Sequence, residues 1–121
     1  QVHYATTEDG YILQIHRISH GLNDSSSKCR PVVFMQHCLF CDSSIWVLNP
    51  PSESPGFIYA DAGFDVWIGN FRGNTYGKNH TTYSTLSPTF WNFTWDDSAS
   101  KDLTAMIDMA LDISGQDSLY Y

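Results

Sequence analysis

A histidine, two cysteines and an aspartate crowd residues 37–42, inside the stretch QHCLFCDSS. Cys38-Leu39-Phe40-Cys41 has the C-x-x-C spacing that suits thiol–disulfide chemistry or one half of a zinc site. A redox pair wants a helix N-terminus to lower the pKa of its first thiol, in a thioredoxin-like setting. Zinc needs two further ligands. Cys29, His37 and His80 are the nearby candidates, and no second close pair exists, so no metal site is assigned. The third reading is structural: two small thiols, buried or half-buried, in a loop leaving the end of a buried strand. The total of three cysteines is odd, which argues against a closed disulfide framework.

Other residues pair a chemical reading with a structural one. Asp96 and Asp97 have the makings of a general acid and base, but they stand where a helix begins and complement its dipole. Arg72, in GNFRGN, is read as a structural salt bridge or carbonyl clamp. His37 is read as structurally satisfied, or as orienting its loop through a side-chain hydrogen bond. Trp46, Trp67, Trp91 and Trp95 are expected in the core. Asn23, Asn79 and Asn92 each open an N-x-S/T acceptor sequon, and three in 121 residues lean towards a secretory route.

The elements that must position these residues follow from local pattern. HYATTE and YILQIHRI flank Asp9-Gly10 and predict a hairpin over residues 3–18. Residues 19–30 are polar and read as a surface loop. PVVFMQ, residues 31–36, is apolar without alternation, as in a strand covered on both faces. GFIYADAG reads as a helix stopping at Gly63, and FDVWIGN as the next strand, giving a right-handed βαβ unit. Residues 69–80 read as loop. Ser87-Pro88 opens a short helix. Thr94-Trp95-Asp96-Asp97 is a capping-box variant opening a longer one. Leu103, Met106, Ile107, Ala110 and Leu111 then make one buried stripe, Gly115 ends the helix, and SLYY begins another strand.

Bulk numbers narrow the classes. With 42% hydrophobic and 16% charged residues the chain is globular rather than disordered. The net charge is −7, and its six basic residues (Arg17, Lys28, Arg30, Arg72, Lys78, Lys101) are scattered, so no stripe exists to bind nucleic acid. Apolar runs fall far short of the ~20 residues a membrane helix needs. QVHYATTEDG lacks the charged and apolar regions of a signal peptide.

The segments TEDGYILQIHRI, PVVFMQHCLF, ADAGFDVWIGNFRGNTYGKNH and FWNFTWDDSASKDLTAMIDMAL resemble the N-terminal half of the acid lipase family, which includes lysosomal acid and gastric lipases. The resemblance runs from about Tyr4 to Tyr121. It implies the α/β-hydrolase fold, with residues 1–121 an incomplete domain truncated before the nucleophile elbow. It also implies hydrolysis of triacylglycerols or sterol esters by a Ser-His-Asp triad, none of whose members lies in this chain. No cofactor is implied. Neutral lipid esters at a lipid–water interface are the implied partners, and a secreted or lysosomal setting the implied location.

What the resemblance leaves here is the oxyanion loop. The family's His-Gly-Leu corresponds to His37-Cys38-Leu39, which makes the Leu39 backbone N–H the oxyanion donor and His37 an orienting residue. Cys38 departs from the family's Gly, a residue that often marks a positive φ or a close backbone approach. Three functions compete. The first is the N-terminal part of a neutral-lipid ester hydrolase. The second is a non-catalytic lipid-binding or interaction protein. The third is a C-x-x-C redox protein.

Overall fold

The computed structural model describes residues 1–23 and 29–121. Val2–Thr6 (β1) and Tyr11–Ile18 (β2) pair antiparallel around the turn that Asp9-Gly10 predicts. Gly10 has φ +95°, and a Cβ there would stand 2.5 Å from Thr81 Oγ1. Only glycine fits that corner. Val32–Met35 (β3) and Asp65–Ile68 (β4) are parallel neighbours, with Pro55–Asp61 (α1) between them in sequence, so the βαβ reading holds. The strand order is β1-β2-β4-β3-β6, where β6 is Leu119–Tyr120. Asn79–His80 (β5) pairs with β2 inside the segment expected to be loop.

Period-two geometry divides the strands between two cores. Val32, Phe34 and Trp67 join Leu13, Ile15 and Met106 on one face of the sheet. Val33, Met35, Val66 and Ile68 meet Ala60 of α1 on the other. Both β3 and β4 are buried at every position, and covering on both faces is why their sequences show no alternation.

The long helical stretch starts at the expected cap. The Thr94 N–H and Oγ1 both donate to Asp97 Oδ2, at 2.8 and 3.0 Å. It proceeds as Trp95–Asp97 (α2), a π-helical turn over Ser98–Asp102, and Leu103–Ser114 (α3), which ends at Gly115 with φ +68°. The π turn was not legible in the sequence. Met106 and Ala110 form the buried centre of the expected stripe, with Leu103, Ile107 and Leu111 half-buried beside them, and Asp102 joins them as a charged member. Ser87 caps a 3-10 turn at Pro88–Trp91, accepting from the Thr89 N–H.

Candidate active site

The loop after β3 is fixed by hydrogen bonds converging on His37, which is buried. The Phe71 N–H donates to His37 Nε2 at 3.1 Å, and Asn74 Nδ2 points to the same nitrogen at 3.0 Å. A backbone N–H can only donate, so Nε2 accepts and the ring proton sits on Nδ1. That proton is donated to the Cys38 carbonyl, 2.8 Å away. The Cys41 N–H donates to the same oxygen at 3.2 Å.

These contacts aim the next atom along. The Cys38 C=O and the Leu39 N–H belong to one planar trans peptide and point in opposite directions. Pinning the carbonyl on His37 and Cys41 therefore turns the Leu39 N–H outward. Among the described residues it donates to no protein acceptor.

The loop forms one wall of a cleft of about 560 Å³. Phe71 and Asn74, which hold His37, line it too, together with Trp91, Phe93 and Trp95. Two of the tryptophans expected in the core are thus on the surface: Trp91 is 44% and Trp95 59% exposed. Trp67 alone is fully buried, and Trp46 packs half-buried beside the α1 core. Local aromatic spacing says nothing about which layer follows, so the rim was invisible in one dimension. Phe40, at the cleft mouth, is 98% exposed and Leu39 54%.

Cys38 is exposed rather than buried, and Cys41 is half-buried. Replacing Gly by Cys at 38 brings no backbone strain, because the left-handed residue of the loop is Phe40, with φ 61°.

Behind the loop lies a polar scaffold that sequence reasoning missed. The Ser43 N–H donates to Asn70 Oδ1, Asn74 Nδ2 donates to the same oxygen, and Asn70 Nδ2 donates to the Gln14 carbonyl. Gln14 Nε2 donates to His16 Nε2, which leaves the Nδ1 proton for Ser43 Oγ at 2.9 Å. Ser43 is only 1% exposed, so this Ser–His pair is a tether and not a nucleophile with its base. The clustered asparagines of GNFRGN were the available signal.

Arg72 does not enter the cleft with its charge. Its guanidinium is buried between Asp102 (2.7 Å) and Asp9 (2.8 Å) and stacks 3.9 Å over the Tyr11 ring. Burial opposes the Asp9 charge, yet Arg72, Thr7 and Lys101 hold its carboxyl well below the usual carboxylate range. Asp97, bonded to Lys101 and to the Thr94 cap, is lowered to about 2. The aspartate pair is structural, as its position in the first turn suggested.

The sequons are accessible at their asparagines: Asn23, Asn79 and Asn92 are all exposed. Asp24 and Ser25 of the first sequon, and with them residues 24–28 of the polar loop predicted over 19–30, lie outside the described residues. No helix among the described residues is long and apolar enough to cross a membrane.

A mixed sheet with a helix on each face is the arrangement of a partial α/β-hydrolase N-terminal region. Residues 1–50 match the family described as a partial alpha/beta-hydrolase lipase region. The chain is 52% identical to lipase lipl-1 of Caenorhabditis elegans over 122 aligned residues, covering 99% of the chain and 30% of that lipase. It is 53% identical to the lysosomal acid lipase/cholesteryl ester hydrolase of Homo sapiens over 116, covering 95% and 29%. With the gastric triacylglycerol lipase of Bos taurus it shares 48% over 122, covering 100% and 31%. The chain is thus similar to acid lipases along nearly all of its own length, and spans about 30% of the length of these relatives.

Proposed function

We propose that the chain is the N-terminal part of a serine ester hydrolase acting on triacylglycerols or sterol esters, and that it supplies one backbone donor of the oxyanion hole. Residues 1–121 are then one part of a larger catalytic domain whose remainder carries nucleophile, base and acid. The observation that carries this reading is the Leu39 N–H, which has no protein acceptor among the described residues, in a cleft-lining loop whose preceding carbonyl is held by His37. Such a donor serves charge that develops on a carbonyl oxygen in a tetrahedral transition state, and is best held rigid beforehand. Here His37 is a positioning residue, acting through the peptide it holds.

Relatives that bear the names of triacylglycerol and cholesteryl ester hydrolases support the substrate class. The exposed Leu39, Phe40, Trp91 and Trp95 around the mouth favour contact with a lipid–water interface. Scattered basic residues argue against a nucleic-acid partner. The exposed acceptor asparagines, with relatives named lysosomal and gastric, support a secretory route ending outside the cell or in the lysosome.

The complete gene product, read through in frame past Tyr121, tests this directly. It should react with a serine-directed fluorophosphonate and cleave triacylglycerol. In that protein Leu39→Pro, which deletes the N–H, should lower kcat by about 10²–10³-fold, the size seen when one oxyanion donor is lost. Leu39→Ala should keep kcat within a few fold. His37→Asn should lower kcat by roughly tenfold with KM little changed, the signature of a contact used only in the transition state. A complete protein inert to the probe would instead favour the non-catalytic lipid-binding reading.

A further inference from the structure

Hydrolysis leaves the two thiols of the same turn without a task. Cys38 and Cys41 are both free, and their Sγ atoms stand 2.9 Å apart. The Cys41 N–H donates to the Cys38 carbonyl at 3.2 Å, closing a four-residue turn. The ends of such a turn lie within about 7 Å of each other, Cα to Cα, and disulfides typically span 4.4–6.8 Å, roughly the same reach. Phe40 holds the left-handed conformation that brings the second thiol back over the first. The side chains are thus gathered on the exposed side of the loop by backbone geometry already in place.

We propose that Cys38 and Cys41 form a reversible dithiol–disulfide modification site that takes low-molecular-weight disulfides of the glutathione class. Cys38 is exposed and Cys41 half-buried, so Cys38 meets the oxidant first. The hydrogen bond with Cys38, followed by burial, pushes the Cys41 thiol up, which keeps it in reserve as the resolving thiol. The Cys38 thiolate, its proton lost to solvent, attacks one sulfur of glutathione disulfide. That S–S bond breaks, and one glutathione leaves as a thiolate and takes up a proton. Cys41, also deprotonated, attacks Cys38 Sγ in the mixed disulfide and expels the second glutathione, which is protonated in turn. Two protein thiols have then lost two electrons, and one glutathione disulfide has become two glutathione thiols.

The bridge encloses Leu39 and Phe40, so oxidation staples the turn that carries the Leu39 N–H. This consequence rests on the function proposed above; the bridge itself does not. The two fail separately, because a complete protein inert to a serine probe says nothing about the thiols.

The test uses the complete gene product carrying Cys29→Ser and follows the thiols on the peptide that holds both Cys38 and Cys41. The protein is equilibrated across ratios of reduced to oxidised glutathione, in native buffer and in concentrated urea, then acid-quenched, alkylated and digested, and that peptide is weighed. The expected result is a species lighter by two hydrogens, refractory to alkylation at both cysteines. Its equilibrium should favour the bridge at least about tenfold more in native buffer than in urea, a difference of ~30 mV in potential for a two-electron couple. Equal equilibria in the two solvents would overturn the proposal. So would glutathione adducts on Cys38 that accumulate without closing the bridge.

Discussion

At the scale of single residues, Arg72 decides more than any cysteine does. It gathers the hairpin turn through Asp9, the π turn through Asp102, and the Tyr11 ring beneath its plane. Its Nε also donates to Asp102 Oδ1 at 2.8 Å, and its own backbone N–H to Oδ2 at 2.9 Å, so the aspartate is satisfied at both oxygens. Asp102→Ala leaves a buried guanidinium with half its partners and a backbone donor with none. We expect a loss of ~3–5 kcal/mol in urea unfolding, the usual cost of breaking a buried pair from one side. Lys101→Ala removes a cation bridging Asp9 and Asp97 at the partly exposed rim, and should shift the midpoint far less.

At the scale of elements, the loop over residues 37–42 is held from behind by β2 and from the side by the segment that follows β4. Ser43 links the 3-10 turn Ser43–Trp46 to His16 near the end of β2, and the ring of His16 meets Tyr76 edge-on at 4.9 Å. Burial, helped by the N-terminal charge and opposed by Asp42, holds the His16 pKa below its ordinary 6.5. The folded state therefore prefers neutral imidazole, and the unfolded chain binds the extra proton. Stability from this tether is complete above pH 6.5 and drains away as pH falls below it. Urea midpoints should decline from pH 7.5 to 5.5 (roughly the range where histidine alone titrates). His3, lowered by burial and by Arg17, adds to the same slope. His16→Gln should flatten part of the decline; an unchanged slope in that variant would remove His16 from the account.

At the scale of the whole molecule, the sheet is well covered on its faces but not along one edge. β6 pairs with β3 only at Val32↔Leu119 and Val33↔Tyr120. The strand that SLYY was expected to begin thus lies beside β3, while Tyr120 and Tyr121 remain 65% and 73% exposed. A cavity of about 490 Å³ runs beside them along Met35, Trp46, Tyr59 and Phe64. An apolar strand edge of this kind templates association. The 121-residue polypeptide prepared alone should therefore sediment as oligomers at micromolar concentration and melt broadly. A monomer with a sharp two-state melt would contradict this.

Local chemistry in the sequence was enough for the hairpin at Asp9-Gly10, the twice-covered strands, the Thr94–Asp97 cap and the stop at Gly115. Each depends on neighbours within a few residues. The lipase resemblance was legible too, and with it the candidacy of His37 and Leu39, because the order of motifs along the chain is itself one-dimensional. Tertiary structure alone decided that Trp91 and Trp95 rim a cleft while Trp67 fills the core. It also buried Asp102 on Arg72 across 30 residues of sequence, and it tied His37 to Phe71 and Asn74. Those outcomes rest on contacts between distant segments, whose partners a periodicity cannot name until the sheet order brings them together.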